Sequence, residues 1–359
     1  MSGQKRPFGD VDSGLGAGVG CGLCGSIMRT FLMSAALAAT LTAAPLPAAA
    51  PAADWAIAIH GGAGVIERGS LSPEADAAIR ADLAKAVDAG AAVLRRGGPS
   101  TDAVVAAVAV LEASPWFNAG VGAVFTSAGS IELDAAMMEG EARRAGAVTG
   151  VKSTLSPIAL ARTLMDKGPH VFLAGPATDE YARENGLVQV PNSHFMTERR
   201  RRQLDDLRLQ NQGAALMPAE TRMGTVGAVA RDAKGNVAAG TSTGGLTGKA
   251  PGRVGDAPLI GAGTLADNRC GAISATGSGE IFIRVRVAAS ICDAARFGGQ
   301  PLQKAADMTL AEVGSLGGDG GVIVMGPKGD GLFSFNSAGM YRGRASARSA
   351  PEIKVYADE

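Results

Sequence analysis

Histidine, cysteine and aromatic residues are all scarce in this sequence. Its 359 residues contain three histidines, four cysteines and 4% aromatics. Most serine and cysteine hydrolases use a histidine as the base that activates the nucleophile. With histidine only at positions 60, 170 and 194, few parts of the chain could supply such a base.

The sequence also lacks net charge, since Lys+Arg and Asp+Glu both number 34. Without an excess of positive charge, no general field attracts nucleic acid or an anionic membrane. We therefore expect no nucleic-acid partner, and a charged ligand must be recognised by local groups. Hydrophobic residues at 46% and charged residues at 19% are ordinary globular usage, which excludes a wholly disordered chain.

The four cysteines indicate no metal site. Cys21 and Cys24 form a single CxxC without a second pair or a nearby histidine, which does not support zinc. Cys270 and Cys292 could pair in an oxidising compartment, but the sequence does not fix their distance in space. Of these two alternatives we predict two unpaired, buried thiols.

The first 53 residues have the composition of a leader. Arg29 precedes an uncharged stretch at 31–50, in which an apolar run leads to an alanine-rich exit, as in secretory signals. Pro45 and Pro47 argue against a spanning helix. We predict that residues 1–53 are disordered or removed, that the protein is exported to the periplasm, and that no membrane contact remains after signal removal. A retained anchor and a disordered tail are the alternatives.

Strand and helix patterns alternate from residue 54 onwards. Ser72-Pro73-Glu74 combines a capping serine, a proline at the first helical position and an acid in the first turn, which predicts a helix start. A turn at 234–236 between two apolar runs predicts a β-hairpin that begins at Thr225. Residues 187–224, with the basic run 198–202, have no sustained apolar period and indicate a solvated helix or linker. Other predicted helices cover 100–111, capped by Ser100, 156–165 and 281–295, and other predicted strands cover 55–59, 123–126, 131–133, 145–150, 271–276, 321–325 and 331–335.

The sequence offers two candidate hydroxyl nucleophiles. Residues 240–244 match G-x-S-x-G, but no helix pattern follows and no histidine lies after position 194, so a serine hydrolase is not supported. A threonine can instead use its own free α-amine as the base, if chain cleavage makes it an N-terminus. Thr225 fits, because it begins a strand and follows Gly224, which permits a strained backbone. From these residues alone, a simple turn exit is the commoner explanation.

An ordered set of motifs adds a family resemblance. From Trp55 onwards the chain resembles the plant-type L-asparaginase/isoaspartyl peptidase (β-aspartyl-peptidase) family of N-terminal-nucleophile (Ntn) hydrolases. Any one motif would be weak evidence, whereas the set in this order is highly specific. The similar blocks are IHGGAG at 59–64, LEASPWFNAGVGAVFT at 111–126, ELDAAMMEG at 132–140, MGTVGAVARDAKGNVAAGTSTGG at 223–245, PGRVGDAPLIGAGTLADN at 251–268 and ATGSGE at 275–280.

The resemblance implies an α+β fold, a four-layer αββα sandwich. It implies a precursor cleaved at the Gly224–Thr225 bond into an α chain (54–224) and a β chain (225–359) of one domain, and a dimer of such αβ units. The implied reaction is hydrolysis of the side-chain amide of L-asparagine and of β-aspartyl (isoaspartyl) peptides through an acyl-enzyme on Thr225. No organic cofactor is implied.

The resemblance also assigns the catalytic residues. Thr225 is the nucleophile, and Thr243 forms hydrogen bonds near its hydroxyl and amine. Thr276 and the backbone N–H of Gly277 form the oxyanion hole, where such donors meet developing negative charge. His60 is implied to be structural, at the base of the site.

A substrate with an α-carboxylate and an α-ammonium needs one cation and one anion at a fixed separation. The resemblance assigns these roles to Arg253, whose fork suits a carboxylate, and Asp256. The alternative is that the two form only a surface ion pair with each other. The substrate-binding residues implied are Asn118, Arg253, Val254, Gly255, Asp256, Thr276, Gly277, Ser278 and Gly279.

The loop at 111–121 resembles one whose backbone carbonyls hold a structural sodium ion. The implied ligands are the carbonyls of Leu111, Glu112, Ser114, Phe117, Ala119 and Val121.

Two rival functions stay open. Glycosylasparaginase uses the same threonine on a wider substrate, and an unprocessed amino-acid-binding protein would use only Arg253 and Asp256.

Overall fold

Helices and strands alternate along the chain, which a computed structural model describes at residues 54–211 and 224–359. In these ranges the helices are α1 (Pro73–Arg95), α2 (Ser100–Glu112), α3 (Pro157–Lys167), α4 (Pro176–Glu184), α5 (Glu198–Asn211), α6 (Gly279–Val285), α7 (Val287–Arg296) and α8 (Leu302–Ser315). The strands are β1 (Ala56–Gly64), β2 (Leu133–Glu139), β3 (Ala145–Val151), β4 (Phe172–Ala174), β5 (Val226–Arg231), β6 (Val237–Thr243), β7 (Thr264–Asp267), β8 (Gly271–Gly277), β9 (Gly320–Met325), β10 (Leu332–Phe335), β11 (Gly339–Ser346) and β12 (Glu352–Tyr356). All of these elements belong to one compact unit, Ala50–Glu359.

The described strands form two sheets. The larger has the order β12-β11-β1-β5-β6-β2-β3-β4 and the smaller has the order β10-β9-β8-β7. The hairpin predicted from Thr225 is confirmed as β5 and β6, which pair antiparallel. These two strands lie in the middle of the larger sheet, with β1 beside β5 and β2 beside β6.

Apolar side chains join the sheets to each other and to the helices. Strands β1, β5 and β6 pack against β7, β8 and β9 through a cluster that includes Ala58, Val229 and Ile323. A second cluster joins α1, α2 and α3 to the larger sheet, and a third joins α6, α7 and α8 to the smaller one. The fold is therefore a mixed α/β fold in which helices pack on both sheets.

Helix starts follow the sequence signals with one exception. Ser72 caps α1 and Ser156 caps α3, each through its side-chain oxygen. The prediction that Ser100 caps α2 is wrong, because Pro99 occupies the cap position and Ser100 is the first helical residue. The Ser100 backbone N–H donates to the Asp232 carboxylate at 3.1 Å, so a residue distant in sequence satisfies the helix terminus.

The single helix predicted at 281–295 is wrong, since the segment forms α6 and α7. Arg286 lies between them with φ of 55°, in the left-handed region. The N–H groups of Ala288 and Ala289 then donate to the carbonyls of Ala262 and Gly261 at 3.0 and 2.8 Å. These contacts with the segment before β7 replace hydrogen bonds that a continuous helix would make, and apolar periodicity does not report them.

Two strand predictions before β2 also need correction. Residues 123–126 form no strand, and Thr126 makes only an isolated bridge to Lys249. The strand predicted at 131–133 begins only at Leu133. Apolar side chains such as Phe125 and Ile131 are buried without belonging to a sheet, so burial gave this part of the sequence a strand-like pattern.

Cys270 and Cys292 form a disulfide, so the prediction of two unpaired thiols is wrong. Cys270 lies in the turn between β7 and β8, and Cys292 lies in α7. Packing of α7 against β8 brings their Cα atoms to 5.3 Å, within the range that a disulfide spans. The 22-residue separation in the sequence does not reveal this proximity.

The predicted leader at 1–53 and residues 212–223 of the predicted linker lie outside the described residues. The basic run 198–202 belongs to α5, and Arg200 there is buried, with Nε donating to the Gly122 carbonyl at 2.7 Å. Within 54–211 and 224–359, no helix combines the length and apolar character needed to cross a membrane.

Candidate active site

Thr225 lies at the entrance to β5, between a strained glycine and the centre of the larger sheet. Gly224 has φ of 105°, which a residue with a side chain rarely adopts. Gly62, in the glycine-rich part of β1, packs directly on it: a Cβ on Gly62 would lie 2.6 Å from the Gly224 Cα. The close approach of Gly62 and Gly224 therefore places the Gly224–Thr225 bond against β1, directly before β5.

The Thr225 hydroxyl donates a hydrogen bond to the Thr243 hydroxyl at 3.1 Å. Thr243 ends β6 and is buried, and its oxygen also accepts the Gly245 backbone N–H at 3.0 Å. Antiparallel pairing of β5 and β6 brings these two threonines together across 18 residues of sequence. The structure thus brings the Thr243 hydroxyl within hydrogen-bond distance of the Thr225 hydroxyl.

A small cavity opens at the Thr225 side chain and collects many of the predicted site residues. Its polar lining suits a ligand that carries charge. The lining residues are Gly224, Thr225, Thr243, Gly245, Leu246, Arg253, Gly255, Asp256 and Gly277.

Thr276 and Gly277 end β8, in the smaller sheet. The Thr276 side chain is fully buried, and within the described residues its hydroxyl has no hydrogen-bond partner. Gly277 lines the cavity and has φ of 154°, still on the positive side that favours glycine. Because buried hydroxyls are normally satisfied, an unpartnered one beside a cavity is available to a ligand.

Arg253 is held by the carboxylate of Glu280, to which the sequence motifs assign no role. Its Nε and Nη2 donate to the two oxygens of Glu280, each at 2.9 Å. The expected alternative, an ion pair between Arg253 and Asp256, is not what the structure contains. Glu280 follows Gly277 by three residues in ATGSGE, so the sequence indicates that it lies near the site. The sequence does not indicate that its partner is Arg253.

Asp256 is buried beside Arg253, and its Oδ2 has no partner among the described residues. Burial raises the pKa of the Asp256 carboxyl to about 7, partly offset by hydrogen bonds to its own and the Ala257 backbone N–H and by the Arg253 charge. A Cβ on Gly279 would lie 2.8 Å from Arg253 Nη2 and 3.0 Å from Asp256 Oδ1. Gly279 therefore leaves room for the guanidinium and the carboxylate to lie side by side.

The remaining predicted binding residues lie around the cavity without lining it. Asn118 donates to the Gly245 carbonyl at 2.7 Å and accepts the Val124 N–H at 2.9 Å, so it fixes the loop after Thr243. The Ser278 hydroxyl donates to Asp319 at 2.8 Å. Val254 lines a neighbouring cavity with Glu132 and Lys152.

His60 contacts the nucleophile more directly than expected. Its Nδ1 lies 2.9 Å from the Thr225 carbonyl oxygen, and its Nε2 lies 2.8 Å from the Ser274 hydroxyl. Burial lowers the pKa of the His60 imidazole to about 3, with the Thr225 hydrogen bond acting against that shift. His60 is therefore neutral at physiological pH. The only sequence signal for its contact with Thr225 is its position in the IHGGAG motif.

Backbone carbonyls of the loop predicted to hold sodium converge on two glycines. Gly120 and Gly122 both have positive φ, of 48° and 95°. A Cβ on Gly122 would lie 2.6 Å from the Pro115 carbonyl oxygen and 2.8 Å from that of Phe117. Within the described ranges, no group of three or more His, Cys, Asp and Glu side chains is arranged to hold a metal ion.

Comparison with known proteins identifies the family to which this arrangement belongs. The family model described as "Asparaginase" matches residues 53–355. The chain belongs to this asparaginase family.

Curated relatives of this asparaginase-family chain are similar over most of its length. The isoaspartyl peptidase of Salmonella typhimurium is 43% identical over 307 residues, covering 84% of this chain and 98% of its own. The Escherichia coli isoaspartyl peptidase is 41% identical over 311 residues, covering 84% and 96%. The mouse isoaspartyl peptidase/L-asparaginase is 43% identical over 239 residues, covering 66% of this chain and 73% of its own.

Proposed function

We propose that this protein is an autoprocessing threonine hydrolase that cleaves the side-chain amide of L-asparagine and β-aspartyl (isoaspartyl) peptides. The observation that carries the proposal is the cavity at Thr225, where a hydroxyl pair, a guanidinium and a buried carboxylate meet. Family membership and the names of the curated relatives support it.

The first reaction is self-cleavage. The Thr225 hydroxyl attacks the Gly224 carbonyl carbon, and the acyl group moves from the Thr225 nitrogen to its oxygen. Water then hydrolyses the resulting ester, which leaves a carboxylate on Gly224 and a free α-amine on Thr225. In sum, one water is added across one peptide bond, and the nucleophile gains its own base.

The second reaction uses that base. The α-amine, whose pKa is ordinarily about 7.7–8.0, accepts the proton as the hydroxyl attacks the substrate side-chain carbonyl. Thr276 and the Gly277 N–H stabilise the oxyanion, and the proton passes to the departing amine or ammonia. Water hydrolyses the ester on Thr225 and releases L-aspartate.

The substrate is selected by its amino-acid head. Arg253 binds the α-carboxylate, with Glu280 fixing its guanidinium group. Asp256 Oδ2, which has no partner among the described residues, accepts hydrogen bonds from the α-ammonium. This pairing admits an aspartyl unit linked through its side chain and excludes one whose amine lies in a peptide bond. Specificity for the leaving amine is not encoded in these contacts.

The architecture that we propose is the four-layer αββα sandwich, cleaved into α and β chains and assembled as a dimer of αβ units. It is supported by the apolar cluster between the sheets and by the helix clusters on each sheet. Sedimentation of the cleaved protein tests the assembly, and a mass of one αβ unit would contradict it.

We also propose a structural sodium ion in the loop at 111–121. The proposal is supported by two of the implied ligands, the carbonyls of Glu112 and Phe117, which approach Gly120 and Gly122, and carbonyl oxygens can bind a hard cation without an acidic side chain. The ligands would be the carbonyls of Leu111, Glu112, Ser114, Phe117, Ala119 and Val121. The ion would brace the loop that carries Asn118 and take no part in bond making.

Export to the periplasm is proposed from the leader composition at 1–53. The Cys270–Cys292 disulfide supports it, because disulfides persist in oxidising compartments. N-terminal sequencing of the secreted protein checks it, and a start upstream of Ala44 would reject cleavage in this stretch.

The decisive experiment compares the wild type with Thr225→Ala. We expect the wild type to give two fragments by intact mass, the second beginning at Thr225, and the variant to remain one inactive chain. An intact wild type with asparaginase activity overturns the mechanism, and an intact chain that only binds amino acids favours the binding protein. Exclusive cleavage of glycosyl-asparagine, with no hydrolysis of asparagine or isoaspartyl dipeptides, would favour glycosylasparaginase.

A further inference from the structure

A row of hydrogen-bonded polar side chains crosses the apolar interface between the two sheets. It ends at the backbone carbonyl of Thr225. In the larger sheet, His60 of β1 pairs with Gly227 of β5, which pairs with Thr241 of β6. In the smaller sheet, Thr264 of β7 pairs with Ser274 of β8. All four polar side chains are fully buried, at 0% exposure.

Gly227 makes the contact between the sheets possible. A Cβ at this position would lie 2.5 Å from His60 Nε2 and still closer to the Ser274 hydroxyl. Without a side chain there, Ser274 reaches between His60 at 2.8 Å and Thr241 at 2.7 Å. Thr264 continues the row with a hydrogen bond to Thr241 at 2.6 Å.

The direction of these hydrogen bonds follows from the carbonyl of Thr225. A carbonyl only accepts, so His60 Nδ1 carries the proton and donates at 2.9 Å. The ring is neutral, so Nε2 accepts from Ser274. Because the Ser274 proton is used on Nε2, Ser274 accepts from Thr241. Thr241 in turn accepts from Thr264, whose hydroxyl also lies 2.9 Å from the Ala257 carbonyl oxygen. The row fixes a single tautomer and ring orientation.

A structural role alone does not require this arrangement. The surrounding layer is built from apolar residues, such as Ala58, Val229 and Ile323, and apolar packing would serve stability as well. Instead, the row consists of four buried polar side chains, and it holds one backbone carbonyl in place. That carbonyl belongs to Thr225, and its position sets where β5 begins and where the Thr225 hydroxyl points.

We infer that His60 is a positioning residue for both reactions of Thr225, because it fixes the Thr225 carbonyl and thereby aims the hydroxyl. The inference rests on the proposed threonine mechanism. His60 transfers no proton in either reaction, and it does not touch Arg253 or Asp256. Removal of its donor should therefore slow bond making while leaving recognition of the amino-acid head intact.

Three variants separate positioning from packing. His60→Asn keeps an N–H near the Nδ1 position, His60→Gln keeps a group near Ser274 but loses that donor, and His60→Ala loses both. We expect kcat per cleaved chain to fall about 10- to 100-fold in the Gln and Ala variants, as for a reacting group misplaced by about an ångström. His60→Asn should recover most of kcat, KM for L-asparagine should stay within about twofold throughout, and fragment formation should follow the same order.

Leu310→Ala, in the core between α8 and the smaller sheet, is the matched stability control. It should lower the melting temperature with kcat unchanged at 25 °C, which shows that kcat does not simply follow stability. The inference is overturned if His60→Asn cleaves and turns over no faster than His60→Ala, or if all three keep wild-type kcat. It is also overturned if the acidic limb of the kcat–pH profile disappears in His60→Asn, since His60 would then act as an acid or base.

These failures differ from failure of the proposed function. If the wild type forms no fragment beginning at Thr225, or if Thr225→Ala stays active, the threonine mechanism itself falls. If the wild type behaves as proposed while the His60 variants keep full rates, only the role of His60 falls.

Discussion

Thr225 has no side-chain base to activate its hydroxyl in the part of the chain that the structure describes. The hydroxyl donates to Thr243, and the neighbouring His60 is neutral and turned towards the backbone carbonyl. A free α-amine is the group that can take the proton, and cleavage after Gly224 supplies it. At the scale of single residues, activation of the Thr225 hydroxyl therefore depends on cleavage of the chain.

Thr276→Val tests the oxyanion hole. Among the described residues the buried Thr276 hydroxyl has no partner, an arrangement that costs about 1–3 kcal/mol in stability. We expect the valine variant to be at least as stable as the wild type, while kcat falls about 100- to 1,000-fold and KM changes little. Thermal denaturation and steady-state kinetics on cleaved protein measure both. A large loss of stability with normal kcat would show that Thr276 only packs.

The raised pKa of Asp256 predicts that the affinity for L-asparagine depends on pH. Burial raises its pKa to about 7, so the carboxyl is neutral below that pH and cannot pair with the substrate ammonium. Arg253 opposes this shift and Glu280 adds to it. KM for L-asparagine should therefore rise as pH falls, about tenfold between pH 8 and pH 6, because only the ionised fraction binds.

Asp256→Asn is the control for that measurement. Its KM should be high at both pH values and nearly independent of pH, since nothing at position 256 then titrates. An unchanged pH dependence in the variant would assign the titration to another group.

At the scale of elements, the hairpin of β5 and β6 carries the nucleophile and its partner, while β8 ends in Thr276 and Gly277, the proposed oxyanion donors. Turn residues and capping serines are local signals, so the hairpin and the starts of α1 and α3 were predictable from sequence. The break at Arg286 and the short strand β7 were not, because hydrogen bonds between distant segments decide them.

At the scale of elements, the loop at 111–121 leads to a prediction about how the melting temperature depends on sodium. If its carbonyls hold sodium, replacing sodium by choline at constant ionic strength should lower the melting temperature, because an ion bound only by the folded state stabilises it. Differential scanning calorimetry across a sodium titration measures the shift. A melting temperature independent of sodium would remove the ion from the account.

At the scale of the whole molecule, the site exists only where the two sheets meet. Thr225 directly precedes β5 and Thr243 ends β6 of the larger sheet, whereas Thr276 and Gly277 end β8 of the smaller one. The Cys270–Cys292 disulfide joins the β7–β8 turn to α7 and so secures the smaller sheet to a helix that packs on it.

We expect the Cys270–Cys292 disulfide to contribute measurably to the free energy of unfolding. Replacing both cysteines by serine should lower the free energy of unfolding by about 2–4 kcal/mol, because the link restricts the unfolded chain. Urea denaturation measures it, and reductant should destabilise the wild type but not the double variant. Equal stability of the two proteins without reductant would mean that the pair contributes nothing.

The sequence by itself determined the candidate residues for the chemistry, because the family motifs name them in order, whereas Gly224 and Thr225 without those motifs would more commonly mark a turn exit. It also determined the hairpin, through its turn and its apolar alternation. The tertiary structure decided the rest: the ion pair of Arg253 with Glu280, the disulfide, and the row from Thr264 to His60. Each of these joins residues that are far apart in the chain, and only packing of the two sheets and their helices sets those distances.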